Sequence, residues 1–163
     1  MRRALLSVLL FLFSVAMLLL ASPYVLYRLG LSGVEGFPQK PVLPASREQQ
    51  ARVWSEARGV GTPHVTATNP YLYAARLVFT PGAATRPGEL IAWQVASRYL
   101  MMHRRYRGTA WWHLSGAALT IWLSRNWTEE EILSAAWHAQ QASVRQPNAS
   151  HDRHGAQASL GSR

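Results

Sequence analysis

From Ala4 to Ala21 the chain is an unbroken apolar stretch without a charge, and Ser7 and Ser14 are its only polar residues. Few sequence features restrict a fold more. About 20 apolar residues suffice to cross a bilayer as a helix, and continuing through Pro23 and Val25 to Tyr27 supplies that length. Tyr24 and Tyr27 then fall at the interfacial belt with Arg28 capping the far end, and the paired Arg2 and Arg3 favour an N-terminus held inside. The rival is a cleaved signal peptide. Its apolar run is about 7–15 residues and ends in a small-x-small site; here the run is longer, and Leu19 stands two residues before Ala21. The sequence therefore predicts an uncleaved anchor over residues 1–29.

The rest of the 163 residues suffices for one small core. There is no cysteine, which excludes disulfides, thiolate metal sites and a cysteine nucleophile. The net charge is +9, carried almost wholly by arginine, with Lys40 the only lysine. Such a balance suits anionic partners: lipid headgroups, a pyrophosphate or nucleic acid. An anchored domain on the far side of the membrane points to the first two and away from nucleic acid. Arginine richness is also what genome composition alone can yield.

Residues 30–45 hold Gly30, Gly33, Gly36, Pro38, Pro41 and Pro44 and read as an extended tether. Ser46 to Arg58 predicts a short helix capped by Ser46, broken by Gly59-Val60-Gly61-Thr62-Pro63. His64 to Pro81 mixes extended and turn signals, with Asn69-Pro70 as a turn. Pro87 to His103 predicts a helix, since Leu90, Ile91, Val95, Tyr99 and Met102 recur at helical spacing. Ala110 to Leu123 predicts an almost wholly apolar helix, either central to the core or partly in the membrane interface. Thr128-Glu129-Glu130-Glu131 is a capping box that opens a last helix to about Ala142. The polar tail 143–163 reads as disordered, with His151 and His154 as solvated side chains rather than metal ligands. The fold class expected is mainly α: one transmembrane helix followed by a helical domain over 46–142.

Two segments carry a resemblance. Gly88-Glu89-Leu90-Ile91-Ala92-Trp93-Gln94-Val95-Ala96-Ser97-Arg98 is similar to the Gly-Gly-Ser-Thr-Ile-Thr-Gln-Gln-Leu-Ala-Lys-Asn motif of the peptidoglycan glycosyltransferases (glycosyltransferase family 51, the transglycosylase module of penicillin-binding proteins). It shares Gly88, Ile91, Gln94 and Ala96. Ile121-Trp122-Leu123-Ser124-Arg125-Asn126-Trp127-Thr128-Glu129-Glu130-Glu131-Ile132-Leu133 resembles the family's Leu-Trp-Leu-Glu-Arg-x-Leu-Ser-Lys-Glu-Glu-Ile-Leu stretch. The order of anchor, first segment and second segment also matches.

The resemblance implies a lysozyme-like helical domain in the periplasm of a bacterial inner membrane. It implies a chemistry in which a glutamate base activates the acceptor sugar hydroxyl of lipid II. Family spacing places that base at Glu56. The surrounding motif departs: Ala57 stands for the aspartate, Val60 for the phenylalanine, and His64 is one place off. By register the family's Arg-Lys pair falls on Trp112 and His113, and its second glutamate on Gly116. Gln94, with Arg98, Arg104, Arg105 and Arg107, forms the candidate substrate-binding set, because arginine presents a planar fork to phosphates. An exposed basic helix end carries the same pattern.

Three readings follow. One is a degenerate transglycosylase-like protein that binds lipid II, glycan strands or a cell-wall synthesis partner. The second is an active minimal glycosyltransferase using Glu56. The third is an unrelated single-span structural or assembly protein, with Trp111, Trp112 and Trp122 in a protein interface. None calls for a cofactor or a metal. The chain also has no phosphate-binding Gly-rich loop, His-Glu-x-x-His zinc motif or nucleophile elbow.

Overall fold

The computed structural model describes residues 2–80 and 85–145. Over these residues the chain forms six helices and no strand: α1 Arg2–Ser32, α2 Arg47–Glu56, α3 Pro70–Phe79, α4 Pro87–His103, α5 Thr109–Asn126 and α6 Glu129–Arg145.

The 31 residues of α1 extend about 46 Å at 1.5 Å per residue, and the segment Leu6–Ser32 is long and apolar enough to cross a membrane. Among the described residues nothing covers Phe11, Leu12 or Leu18, which are exposed along it. The last turn is different. Gly30 sits where a Cβ would lie 2.6 Å from both the Ala118 Cβ and the Leu114 carbonyl oxygen of α5, and Gly33 meets Trp111 and the Ser115 hydroxyl. Glycine lets the two helix backbones touch. Leaving α1, the Glu35 N–H donates to the His103 carbonyl (2.7 Å) and the Arg105 N–H to the Gly33 carbonyl (3.0 Å), joining the end of α1 to the end of α4.

The stretch read as an extended tether packs on the helices as a strap. Gly30 and Gly33 serve close approach rather than freedom. Beyond Gly36, whose φ is 72°, Phe37 stacks on Trp122 with centroids 4.4 Å apart. Lys40 then pairs with Glu131 at 2.9 Å, and the Ala45 N–H donates to the buried Ser134 hydroxyl at 2.8 Å.

Ser46 caps α2 through a reciprocal box with Gln49, and Thr128 does the same for α6 with Glu131. The segment His64 to Pro81 departs from expectation, because residues 70–79 are helical. The Asn69 side chain accepts from the Tyr71 N–H at 2.9 Å and Pro70 takes the first helical position, so the dipeptide read as a turn starts a helix. The helix predicted over Pro87 to His103 forms with those bounds. Helix α5 runs to Asn126, three residues past Leu123, and α6 continues to Arg145. Of the expected tail, residues 143–145 are helical and the remainder lies outside the described residues.

Helix α5 packs on α1 and α4, while α6 covers α4 and α2. Ile91, Leu100, Leu119, Leu123, Ile132 and Leu133 are fully buried at the junction of α4, α5 and α6, which makes α5 a core helix. Burying side chains of this kind stabilises by roughly 1.5–3 kcal/mol each.

Candidate functional site

Glu56 is the last residue of α2. Its Oε1 accepts from Arg52 Nε at 3.0 Å and its Oε2 from Gln140 Nε2 at 3.0 Å. The Arg52 guanidinium also lies 5.9 Å from the centre of the Trp137 ring. Both carboxylate oxygens are thus engaged at the surface, and the group pins α2 to α6. Gln94 and Arg98 are exposed one helical turn apart on α4. Arg104 caps α4 and rests its guanidinium 5.8 Å from the Trp112 ring centre. Arg105 lends its backbone to the α1 junction, and Arg107 is exposed. Neither cleft described here is lined by Glu56 or by any of these five residues. Trp122 and Trp112, half-buried, keep partners within the chain, as does Trp111 against Tyr106 at 4.5 Å.

The structure instead builds a cleft of about 380 Å³ between α3 and the start of α4. Its position follows from local contacts. The Val65 N–H donates to Glu129 (2.9 Å) and the Thr68 N–H to the Ser124 hydroxyl (3.0 Å), which hold the 64–68 segment against α5 and α6. Gly88 admits that segment, since a Cβ there would stand 3.1 Å from the Val65 Cα. Asn69 and Pro70 then launch α3 across the opening.

Arg76 on α3 donates to the carboxylate of Glu89 on α4. Glu89 is only 8% exposed, whereas the Arg76 side chain is 35% exposed. A buried carboxylate needs such a partner, because an unpaired charge away from water is costly. Burial, and secondarily the Glu89 charge, push the Tyr73 hydroxyl above its ordinary value, with Arg76 pulling it back. Leu72 and Phe79 supply apolar wall, and the exposed Arg86 completes the rim. Two guanidiniums against one carboxylate leave this cleft net positive. A guanidinium carries five N–H donors, and Glu89 takes only one of those on Arg76. An anionic group attached to an apolar body matches this lining.

A second, more open depression is lined by Gln49, Trp137, His138, Gln141 and Ala142. His138 Nε2 lies 2.9 Å from the Leu43 carbonyl oxygen, so it is occupied in holding the strap. Among the described residues no group of three or more His, Asp or Glu side chains comes together that could hold a metal ion.

The cleft residues Tyr73, Arg76, Arg86 and Glu89 were not singled out from the sequence. One signal for Glu89 was there: it shares a helix face with Ala92 and Ala96, three and seven residues on, and both are fully buried. A carboxylate on a buried stripe implies a cationic partner. No protein-family model, curated protein or solved structure matches the chain.

Proposed function

We propose that this is a membrane-anchored, transglycosylase-like protein of the bacterial cell envelope that binds a lipid-linked precursor such as lipid II without polymerising it. The observation that carries this reading is the α3–α4 cleft, where Arg76 and the apolar wall of α3, a helix packed against α1, face Arg86 at the start of α4. Such a lining suits a pyrophosphate joined to a hydrocarbon chain, with bidentate Arg–phosphate contacts giving orientation. The resembling segments support the kinship. The first lies on α4, the second spans the end of α5 and the start of α6, and their Ile91, Leu123, Ile132 and Leu133 are buried together. A lysozyme-like domain placed in the periplasm, behind an N-terminus held in the cytoplasm, belongs to the same proposal.

The state of Glu56 favours binding over catalysis. A general base works on a hydroxyl held beside it, whereas Glu56 lines neither described cleft and its oxygens accept from Arg52 and Gln140 at the surface, tying α2 to α6.

The test is lipid II binding by the full chain in detergent, followed by a polymerisation assay on the same sample. Arg86→Ala is expected to weaken binding several-fold, whereas Glu56→Gln and the Arg104→Ala/Arg105→Ala pair leave it unchanged, with no glycan product. Product that disappears in Glu56→Gln would install the active-enzyme reading instead. Absence of binding would remove both lipid II readings and leave an assembly protein.

A further inference from the structure

Helix α3 carries an apolar face that no other described residue covers. Leu72, Val78 and Phe79 are 67%, 69% and 80% exposed, and Tyr71 is exposed beside them. At 3.6 residues per turn, residues 71, 72, 75, 78 and 79 fall within roughly a 120° arc. The one charge described on α3, Arg76, is drawn to Glu89, so this arc holds no charge.

The height of α3 along α1 is set by contacts already described. Thr68 is bonded to Ser124, one residue before Arg125, and the Arg125 guanidinium lies within electrostatic reach of the Tyr27 hydroxyl on α1. Helix α3 starts two residues after Thr68 and packs on α1. It therefore stands beside the C-terminal part of Leu6–Ser32, the apolar segment long enough to cross a membrane. Helix α3 thus brings a second exposed apolar surface to the level of α1's own.

We propose that α3 is an interfacial helix, lying in the same bilayer that α1 crosses, with Tyr71, Leu72, Val78 and Phe79 seated at the boundary between headgroups and acyl chains. This inference rests on the reading of α1 as a membrane anchor. Ten residues span only about 15 Å, too short to cross, but a helix with one apolar face needs only to sink that face about 5–10 Å. Arg28 and Arg125, both exposed at this level, are suited to the phosphate layer. The α3–α4 cleft then opens at the membrane surface, where a lipid-borne anion enters sideways.

The absence of cysteine allows single labels without any other change. The full chain, reconstituted in nanodiscs of phosphatidylethanolamine and phosphatidylglycerol, is spin-labelled separately at Leu72→Cys, Phe79→Cys, Leu12→Cys and Val60→Cys. Accessibility to dissolved oxygen is compared with that to a water-soluble nickel chelate. Leu12 reports the anchor, and Val60, exposed in a loop, reports water. The expected result is that Leu72 and Phe79 join Leu12, with an oxygen-to-nickel ratio several-fold above that at Val60. If Leu12 reports lipid while Leu72 and Phe79 report water, the interfacial helix is wrong and the anchor stands. Labels at 72 and 79 shielded from both reagents would mean a protein partner or a second copy, and would equally overturn the proposal. A Leu12 label in water removes the anchor and the interfacial helix together.

Discussion

The guanidinium of Arg76 and the carboxylate of Glu89 join α3 to α4 across thirteen residues of sequence, tying the two walls of the cleft together. Removing Arg76 leaves the buried Glu89 carboxylate without this partner, and removing Glu89 does the same to the half-buried Arg76 guanidinium. Arg76→Ala and Glu89→Ala are each expected to lower stability by about 1–3 kcal/mol, measured by denaturant unfolding in detergent followed through tryptophan emission. The double variant should cost clearly less than the sum. Additive losses would show that the two residues do not act as a unit.

The helix contact at Gly30 predicts an asymmetry between two glycines. In Gly30→Ala the new methyl meets the Leu114 carbonyl and the Ala118 Cβ, neither of which can rotate away. In Gly33→Ala it meets chiefly the Ser115 hydroxyl, which can turn. Gly30→Ala is expected to cost about 1–3 kcal/mol and Gly33→Ala less, with Ser115→Ala relieving only the second. Thermal unfolding read by near-ultraviolet circular dichroism distinguishes them.

Glu131 predicts a pH dependence. The hydrogen bond from Lys40, then that from the Thr128 backbone, hold its carboxyl below the ordinary glutamate value of 4.5. A carboxylate with a lowered value in the folded state contributes stability above its unfolded value, and loses it as pH falls toward the folded one. Unfolding of the native chain and of Glu131→Gln should thus differ at neutral pH and converge as pH drops below about 4.5. A gap that stays constant across that range would show that the Lys40 and Thr128 contacts do not depend on the charge.

Position decides the effect of trimming an apolar side chain. Leu123 is fully buried, so Leu123→Ala is expected to cost about 2–5 kcal/mol. Val42 on the strap is 94% exposed, and Val42→Ala should stay within about 0.5 kcal/mol of the native chain. Comparable losses at both would mean that the strap packs against something beyond the described residues.

Where a local rule decides the outcome, the sequence was readable. The Ser46 and Thr128 boxes start α2 and α6, and the apolar period from Pro87 to His103 is α4. The errors arose at residues with two uses. Asn-Pro both closes turns and opens helices, and only the apolar Tyr71 to Phe79 run behind it separates the two. Glycine serves both freedom and close approach, and Gly30 shows the second only once α5 is beside it. The site was less legible still. Register alone leads to Glu56, but register says nothing about Arg52 and Gln140, which occupy its oxygens. The Arg76–Glu89 pair depends on how two helices cross, a relation that no local pattern encodes.

The junction of α1, α4 and α5 has a mechanical consequence. With the end of α1 locked by Gly30, Gly33 and two backbone hydrogen bonds to the end of α4, the domain is not a weight on a string. For an anchored chain, its altitude and tilt relative to the bilayer are both set, and thermal motion leaves it only sliding and spinning about the membrane normal. Encounters with anything carried in the same lipid sheet are then reduced from a three-dimensional search to a planar one, with the docking face already turned the right way.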